Sequence, residues 1–407
     1  MFRRHAQQKV EEALTDTPVV LIHGPRQAGK STLADQFQDR TRVTLDDMVA
    51  LALATRDPKG FLNAHGTPLT IDEIQRAPGL FLAIKQAVDK DRQPGRFLLT
   101  GSANVLALPK LADSLAGRME VVDLMPLSQG EIHDQPDGFV DAVFEDDFEP
   151  KFDETTDLID RMVTGGFPEP ATRSPRRRND WFANYVRTLL ERDVKDLANI
   201  EALAQMPLLL SLLASRTGSP LNISTLATDT GIAYTTLRRY LNLLETIFLT
   251  KPIQPWALNR DKIFTKTPKL FLSDTGLLCY LNQIDAKTLE RDQIRFNAVL
   301  QNFVAMELAK QCVNGEIKPW LMHLRTIRHL TVDFVLESRS RDLVGICVTP
   351  AKNLNEDDAE ALRYLREVTG DRFKRGIVLY PGSDRVVLDD RITGLPISAL
   401  WQTPCVV

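Results

Sequence analysis

The sequence predicts an α/β chain of several domains: a region of buried strands alternating with helices first, a helical middle, and a second α/β region at the C-terminus. Three observations predict this. Val19-Val20-Leu21-Ile22-His23 is an apolar run that passes into Gly24-Pro25-Arg26-Gln27-Ala28-Gly29-Lys30-Ser31-Thr32 with the spacing G-x-x-x-x-G-K-S. Leu69-Thr70-Ile71 is a second buried-strand candidate, and it ends on two adjacent carboxylates, Asp72 and Glu73. Apolar strand-like runs return at 331–336, 343–348 and 376–380, after a middle region whose apolar spacing is mostly helical.

With 407 residues, the length suggests two to four domains at roughly 100–200 residues each. A 43% hydrophobic and 26% charged composition is that of a globular chain with a sizeable core. The net charge of -4, from 50 Lys+Arg against 54 Asp+Glu, excludes a uniformly basic nucleic-acid coat, so any DNA contact must come from a local patch. Cys279, Cys312, Cys347 and Cys405 lie far apart without C-x-x-C spacing, which indicates neither a zinc knuckle nor a disulfide framework. The N-terminal residues lack the apolar run of a signal peptide, and no uncharged stretch is long enough to span a bilayer. The expectation is a cytoplasmic protein with no membrane partner.

The glycine-bounded loop can curl its backbone N–H groups around a phosphate chain while the following helix points its positive end at the same place. Residues 24–32 are therefore the expected ATP-binding segment. Lys30 supplies charge to the outer phosphates, and Ser31 supplies an oxygen for Mg²⁺. The helix after the loop is expected to continue through Leu33, Ala34 and Phe37 toward Asp39 and Arg40. Residues 42–45 read as a short strand and 51–56 as a helix. In a P-loop ATPase, Asp72 holds Mg²⁺ through its water shell and Glu73 orients the attacking water.

Leu80, Ile84, Ala87 and Val88 mark an amphipathic helix, and Phe97–Thr100 is the next strand, closing on Gly101-Ser102-Ala103-Asn104. Ser102 and Asn104 are candidates for a contact with the γ-phosphate or the attacking water. Arg118 precedes a further strand, 119–124, and reads equally as an arginine finger for a neighbouring subunit or as a surface arginine.

The order of the phosphate loop, the L-T-I-D-E-I-Q strand, the L-L-T-G-S turn and the L-A-G-R segment resembles prokaryotic AAA-type ATPases joined to an uncharacterised C-terminal region. The resemblance implies a five-stranded parallel sheet in the order 5-1-4-3-2 with ATP at the strand ends. It also gives Ser102 the sensor position and favours the finger role for Arg118, which needs a homo-oligomer or another protein partner.

Residues 134–157 mix carboxylates with Pro136, Gly138 and Pro150 and mark a boundary. The expected domains are 1–135, the ATPase domain; 155–265, a helical and winged-helix region; and 266–407, a restriction-endonuclease-like domain. Gly165-Gly166-Phe167-Pro168 resembles a signature of the same family without a readable role. Arg173–Arg178 is the densest basic run, read as a solvated loop in preference to a phosphate contact. Trp181, Tyr185 and Leu189 share a helix face expected to be core. A helix at 224–229 with Ser224 as a cap, a turn at Gly231 and a helix at 234–246 have the punctuation of a winged helix-turn-helix. Thr235, Thr236, Arg238 and Arg239 then face outward, and 248–256 supplies the wing. DNA contact here and a purely structural or protein-binding module both stay open.

Further along, 269–278 reads as a strand running into a turn, and 297–312 as a helix. Residues 331–336 and 343–348 read as a hairpin. The C-terminal segment resembles restriction-endonuclease-like domains, which place an aspartate on one strand and glutamate-x-lysine on the next. Asp333 fits the first role. Cys347 and Thr349 stand where the glutamate and lysine belong, with Lys352 as a more distant substitute, so the expectation is an inactive relative. The functional expectation is an Mg²⁺-dependent ATP hydrolase that couples its nucleotide state to accessory domains. The alternatives are a nucleotide-gated DNA-binding regulator with negligible turnover and an ATP-dependent nuclease, against which Cys347 and Thr349 already count.

Overall fold

The computed structural model describes residues 2–102, 115–191, 201–258, 267–326 and 330–404, with backbone alone at 201–203. Asn104, Cys405 and residues 192–196, where the sequence alternates charges on the outer side of an expected helix over 187–196, lie outside this set. The chain forms two compact units, Met1–Leu127 with Thr246–Phe248, and Ser128–Glu245 with Leu249–Val407.

In the first unit a leading helix α1 (Ala6–Asp16) precedes strand β1 (Val19–His23) and the short helix α2 (Lys30–Ala34). There follow β2 (Thr41–Thr44), α3 (Met48–Arg56), α4 (Pro58–His65), β3 (Leu69–Asp72), α5 (Gly79–Lys90), β4 (Phe97–Gly101) and β5 (Met119–Asp123). The five strands make one parallel sheet in the order β2-β3-β4-β1-β5, which is the expected 5-1-4-3-2 read from the other edge. β1, β3 and β4 are buried throughout, as strands covered on both faces must be. Alternation divides them between two cores. Val19, Leu21, Ile71 and Leu99 pack with Phe61, Leu80, Phe81 and Ile84 of α4 and α5, whereas Val20, Ile22 and Leu98 pack with Val10, Ala13 and Leu33 of α1 and α2.

α2 is shorter than the apolar spacing predicts. After Ala34 the backbone tightens into three-residue turns, Gln36 N–H to Leu33 and Phe37 N–H to Ala34, and Asp35 pairs with Arg42 at 2.5 Å. Phe37 still packs on the second core. α3 begins where the Asp47 carboxylate accepts from the Val49 and Ala50 N–H groups.

The second unit holds the helices α6 (Leu158–Thr164), α7 (Pro175–Leu189), α8 (Glu201–Ser215), α9 (Ile223–Thr230) and α10 (Tyr234–Thr246). Then come β6 (Thr250–Pro255), β7 (Lys269–Leu272), α11 (Thr275–Leu281), α12 (Gln293–Asn314), β8 (Trp320–Arg325), β9 (Thr331–Glu337) and β10 (Leu343–Val348). α13 (Glu360–Thr369), β11 (Phe373–Tyr380), β12 (Val386–Asp389) and β13 (Ile392–Pro396) complete it. Its mixed sheet runs β12-β13-β11-β10-β9-β8-β6-β7. The hairpin expected at 331–348 forms, with Leu343 opposite Glu337 and Ile346 opposite Phe334. The stretch after β7 is helix α11, started by the Asp274 carboxylate accepting from Leu277 N–H.

Two sequence features find their reasons here. A side chain at Gly165 would run into the Asp274 carboxylate 2.4 Å away, and Gly166 N–H donates to Asp274 Oδ2 at 2.6 Å. Burial pushes the Asp274 carboxyl above its ordinary range against these donors. Phe167 then packs on Trp181 and Tyr185 of α7, so the expected aromatic face is core. The basic run is not a loop but enters the first turn of α7 at Pro175, with Arg173 paired to Glu169 and the Arg178 guanidinium donating to the Pro170 carbonyl. α12 is buried without a break from Asn302 to Gln311, a run that includes Glu307 and Lys310. Asn302 meets Thr217 and both backbone groups of Leu272, Glu307 accepts from Gln129 N–H, and Gln311 joins Val140 to Leu400.

Candidate nucleotide site

The strand pairing brings the predicted residues to one edge of the first sheet. His23 lies opposite Gly101, and Thr100 opposite Ile22, so Ser102 emerges from β4 level with Gly24. Because β4 lies between β3 and β1, Ser102 stands between the carboxylates and the phosphate loop. In an open α/β sheet this carboxyl-end edge is where ligands bind.

The loop itself is tightly held. A Cβ at Gly24 would lie 2.1 Å from the Leu124 carbonyl, so only glycine fits between β1 and the end of β5. Gly29 adopts φ 94°, the left-handed turn that leads into α2. Gln27 also has a left-handed backbone, φ 63°. Arg4, ahead of α1, donates to the Ala28 carbonyl at 2.6 Å and to the Met125 carbonyl at 2.7 Å, clamping the loop from outside. His23 shares a 2.9 Å contact with Asp123 at the end of β5. Pro25 and Ala28 are buried, Arg26 is half-buried, and Gln27 and Thr32 are exposed.

Lys30 is buried, and its ammonium donates to the Gly24 and Pro25 carbonyls at 3.1 and 2.8 Å. The Ser31 hydroxyl donates to Asp72 Oδ1 at 2.8 Å. Asp72 is buried and also accepts from Thr100 at 2.5 Å and Thr44 at 3.3 Å, with the Arg42 guanidinium 3.7 Å from Oδ2. Glu73 takes a left-handed backbone, φ 59°, and its N–H donates to Thr100 Oγ1 at 3.1 Å. Its carboxylate accepts from the Gln75 amide, which also donates to Ser102 Oγ. Sequence reasoning missed Arg4, Arg42, Thr44, Gln75 and Thr100. Of these, Gln75 and Thr100 had a readable signal, since both sit within or beside motifs already singled out.

Arg118 does not join this cluster. It precedes β5, at the edge where β1 begins, whereas the loop follows the other end of β1. Five strand residues, roughly 13 Å or more, separate the two levels. Its guanidinium pairs with Asp89 at 2.5 Å.

In the second unit two helices, α9 and α10, form at the positions read for the helix-turn-helix, with differences at the cap and at the wing. Asn222 caps α9 by accepting from Thr225 N–H, so Ser224 falls inside the helix. β6 pairs with β7 and, at its end, with β8, so the segment expected as a wing is one arm of a ribbon that continues into the large sheet. Pro220 bridges Lys269 on the other arm. Leu237, Leu241 and Leu244 are buried, and Thr235, Arg238 and Arg239 are exposed, whereas Thr236, expected outward with them, is half-buried. Asp333 accepts from Lys269 at 3.3 Å and from Val348 N–H at 2.9 Å. The lysine at this carboxylate thus comes from β7, while Lys352 is exposed.

Residues 16–133 match a family model described as an AAA domain. Residues 155–288 and 296–400 match two domains of unknown function, DUF8612 and DUF4143. An uncharacterized Mycobacterium tuberculosis protein, Rv2008c, is 31% identical over 98% of this chain and 85% of its own. The Methanocaldococcus jannaschii protein MJ1544, also uncharacterized, is 20% identical over 97% and 89%. Among solved structures, the Walker-type ATPase PABY2304 of Pyrococcus abyssi matches with a TM-score of 0.40 and 15% identity, covering 69% of this chain and 96% of that one. No helix among the described residues is long and apolar enough to cross a membrane. With an AAA-matched P-loop sheet at its N-terminus, the chain belongs to the family of the mycobacterial protein Rv2008c.

Proposed function

We propose that the protein is an Mg²⁺-dependent ATPase whose N-terminal domain couples nucleotide state to the regions behind it. The observation that carries this reading is the hydrogen bond from Ser31 to Asp72, which puts a hydroxyl and a carboxylate oxygen side by side where the loop meets α2. That donor set suits Mg²⁺, which binds through one or two protein oxygens, substrate phosphates and water. When bound, the ion would neutralise phosphate charge. The loop N–H groups and the start of α2 hold the triphosphate, and Lys30 exchanges its contacts to Gly24 and Pro25 for phosphate oxygens. Glu73 accepts a hydrogen bond from the attacking water and orients it, and Ser102 donates its hydroxyl to the terminal phosphate.

Binding of a fluorescent ATP analogue and phosphate release, measured on Lys30→Ala and Glu73→Gln, test the reading. The expected result is lost binding in the first, and in the second retained affinity with turnover lowered about 10²-fold or more. Unchanged binding and turnover in both would sink it.

A second reading has its own support. Arg238 and Arg239 are exposed on α10, after a turn at Gly231 with φ 67°, which favours a DNA-contacting helix. For the C-terminal sheet, the two partners of Asp333 and the thiol of Cys347 support a restriction-endonuclease-like relative without cleavage activity. Burial and the Asp333 charge both push that thiol far above its ordinary range, away from the anionic form a metal ligand needs.

A further inference from the structure

Gln75 lies two residues beyond Glu73, in the helical turn Ile74–Arg76 that leaves β3. Its amide nitrogen donates to Glu73 Oε2 and, at 3.0 Å, to Ser102 Oγ. One side chain thereby ties the tip of β3 to the tip of β4. The neighbours dictate its orientation, because a reversed amide would set a carbonyl oxygen against the carboxylate. Since Ser102 accepts from Gln75, the serine keeps its own proton for another acceptor.

Packing does not account for the residue. Gln75 Oε1 is buried without a hydrogen-bond partner, and such an oxygen opposes folding. Glu73, the group it holds, has a backbone conformation uncommon for any residue but glycine. Unpaired buried acceptors and left-handed non-glycine residues cluster where geometry serves chemistry rather than stability.

We propose that Gln75 is a positioning residue for ATP hydrolysis. It fixes the Glu73 carboxylate to Ser102, so that the contact between Ser102 and the terminal phosphate sets the carboxylate that orients water. The inference rests on the ATPase reading above. In the reaction it serves, the water oxygen bonds to the γ-phosphorus as the bond to the β–γ bridging oxygen breaks. ATP and water become ADP, inorganic phosphate and a proton released to solvent.

The test compares the wild type with Gln75→Met, Ser102→Ala and the double variant, measuring phosphate release across ATP concentrations and thermal midpoints. Methionine conserves volume and removes the unpaired oxygen together with the two donated bonds, opposing effects that should leave the midpoint of Gln75→Met within a few degrees of the wild type. Its kcat should fall about 10- to 100-fold while KM stays within about twofold. The double variant should lose no more, within about twofold, than the weaker of the two single variants. Turnover in Gln75→Met equal to the wild type would overturn the assignment, and so would losses that multiply in the double variant. A wild type without turnover removes the ATPase reading and the assignment together. A wild type that hydrolyses ATP beside an equally active Gln75→Met removes only the assignment.

Discussion

Ser31, in the first turn after the phosphate loop, donates its hydroxyl to Asp72, 41 residues later at the end of a strand two places away in the sheet. A hydroxyl and a carboxylate so placed predict a shared metal dependence. Ser31→Ala and Asp72→Asn should each raise the Mg²⁺ concentration for half-maximal turnover by about 10-fold or more. Titrating Mg²⁺ at saturating ATP measures this directly. An unchanged midpoint in both variants would remove the pair from the metal site.

Arg118 predicts dependence on assembly. It lies at the sheet edge opposite its own loop, so a finger role would have to be exercised on the site of another copy. Arg118→Ala should lower turnover about 10³-fold or more without loss of ATP affinity. If that role holds, mixing it with Lys30→Ala should restore activity, because a mixed assembly would contain sites with both residues. If turnover per chain is independent of protein concentration and of Arg118, the finger role is gone.

For the exposed arginines of α10, the expected behaviour is electrostatic. Arg238→Ala/Arg239→Ala should weaken binding to duplex DNA and flatten the dependence of log affinity on log salt by about one to two units of slope. Gel shifts over a salt series with and without ATP provide the measurement. A wild type that shows no salt-dependent shift makes α10 a structural helix.

Asp274 offers a prediction about stability. Gly166 N–H meets one of its oxygens and Leu277 N–H the other. Asparagine has only one acceptor oxygen and would turn its amide protons toward a donor, so Asp274→Asn should cost about 1–3 kcal/mol. Because burial raises the carboxyl's pKa, its contribution is fully present below the unfolded value and declines as pH rises through the folded one. The wild type's advantage should therefore be largest at acidic pH, below the ordinary range of an unfolded aspartate, and narrow as pH rises. Denaturant unfolding of both proteins across that range checks the magnitude and the sign.

The first sheet was legible because β1, β3 and β4 are covered on both faces, which leaves near-continuous apolar runs. Lys30, Ser31, Asp72, Glu73 and Ser102 could be named because the chemistry of the loop demands those residue types at strand ends. Arg4 and Arg42 were hidden, since each reaches the site through a fold that local spacing does not encode. Lys269 was hidden for the same reason: its carboxylate partner lies 64 residues away. Gly165 and Gly166 were visible as a motif yet opaque in purpose, because the buried carboxylate they accommodate belongs to a distant turn. The early end of α2 shows the opposite limit, where apolar spacing continues past the point at which the backbone tightens.

The polar side chains of α12 have a practical consequence for dissecting the protein. Asn302, Glu307 and Gln311 are hydrogen-bonded to groups far along the chain, at Thr217, Leu272, Gln129, Val140 and Leu400. Any truncation between residues 217 and 293 strands some of them in an apolar interior. The region from 128 onward should therefore behave as one cooperative piece in expression trials, soluble when left whole and aggregating when split.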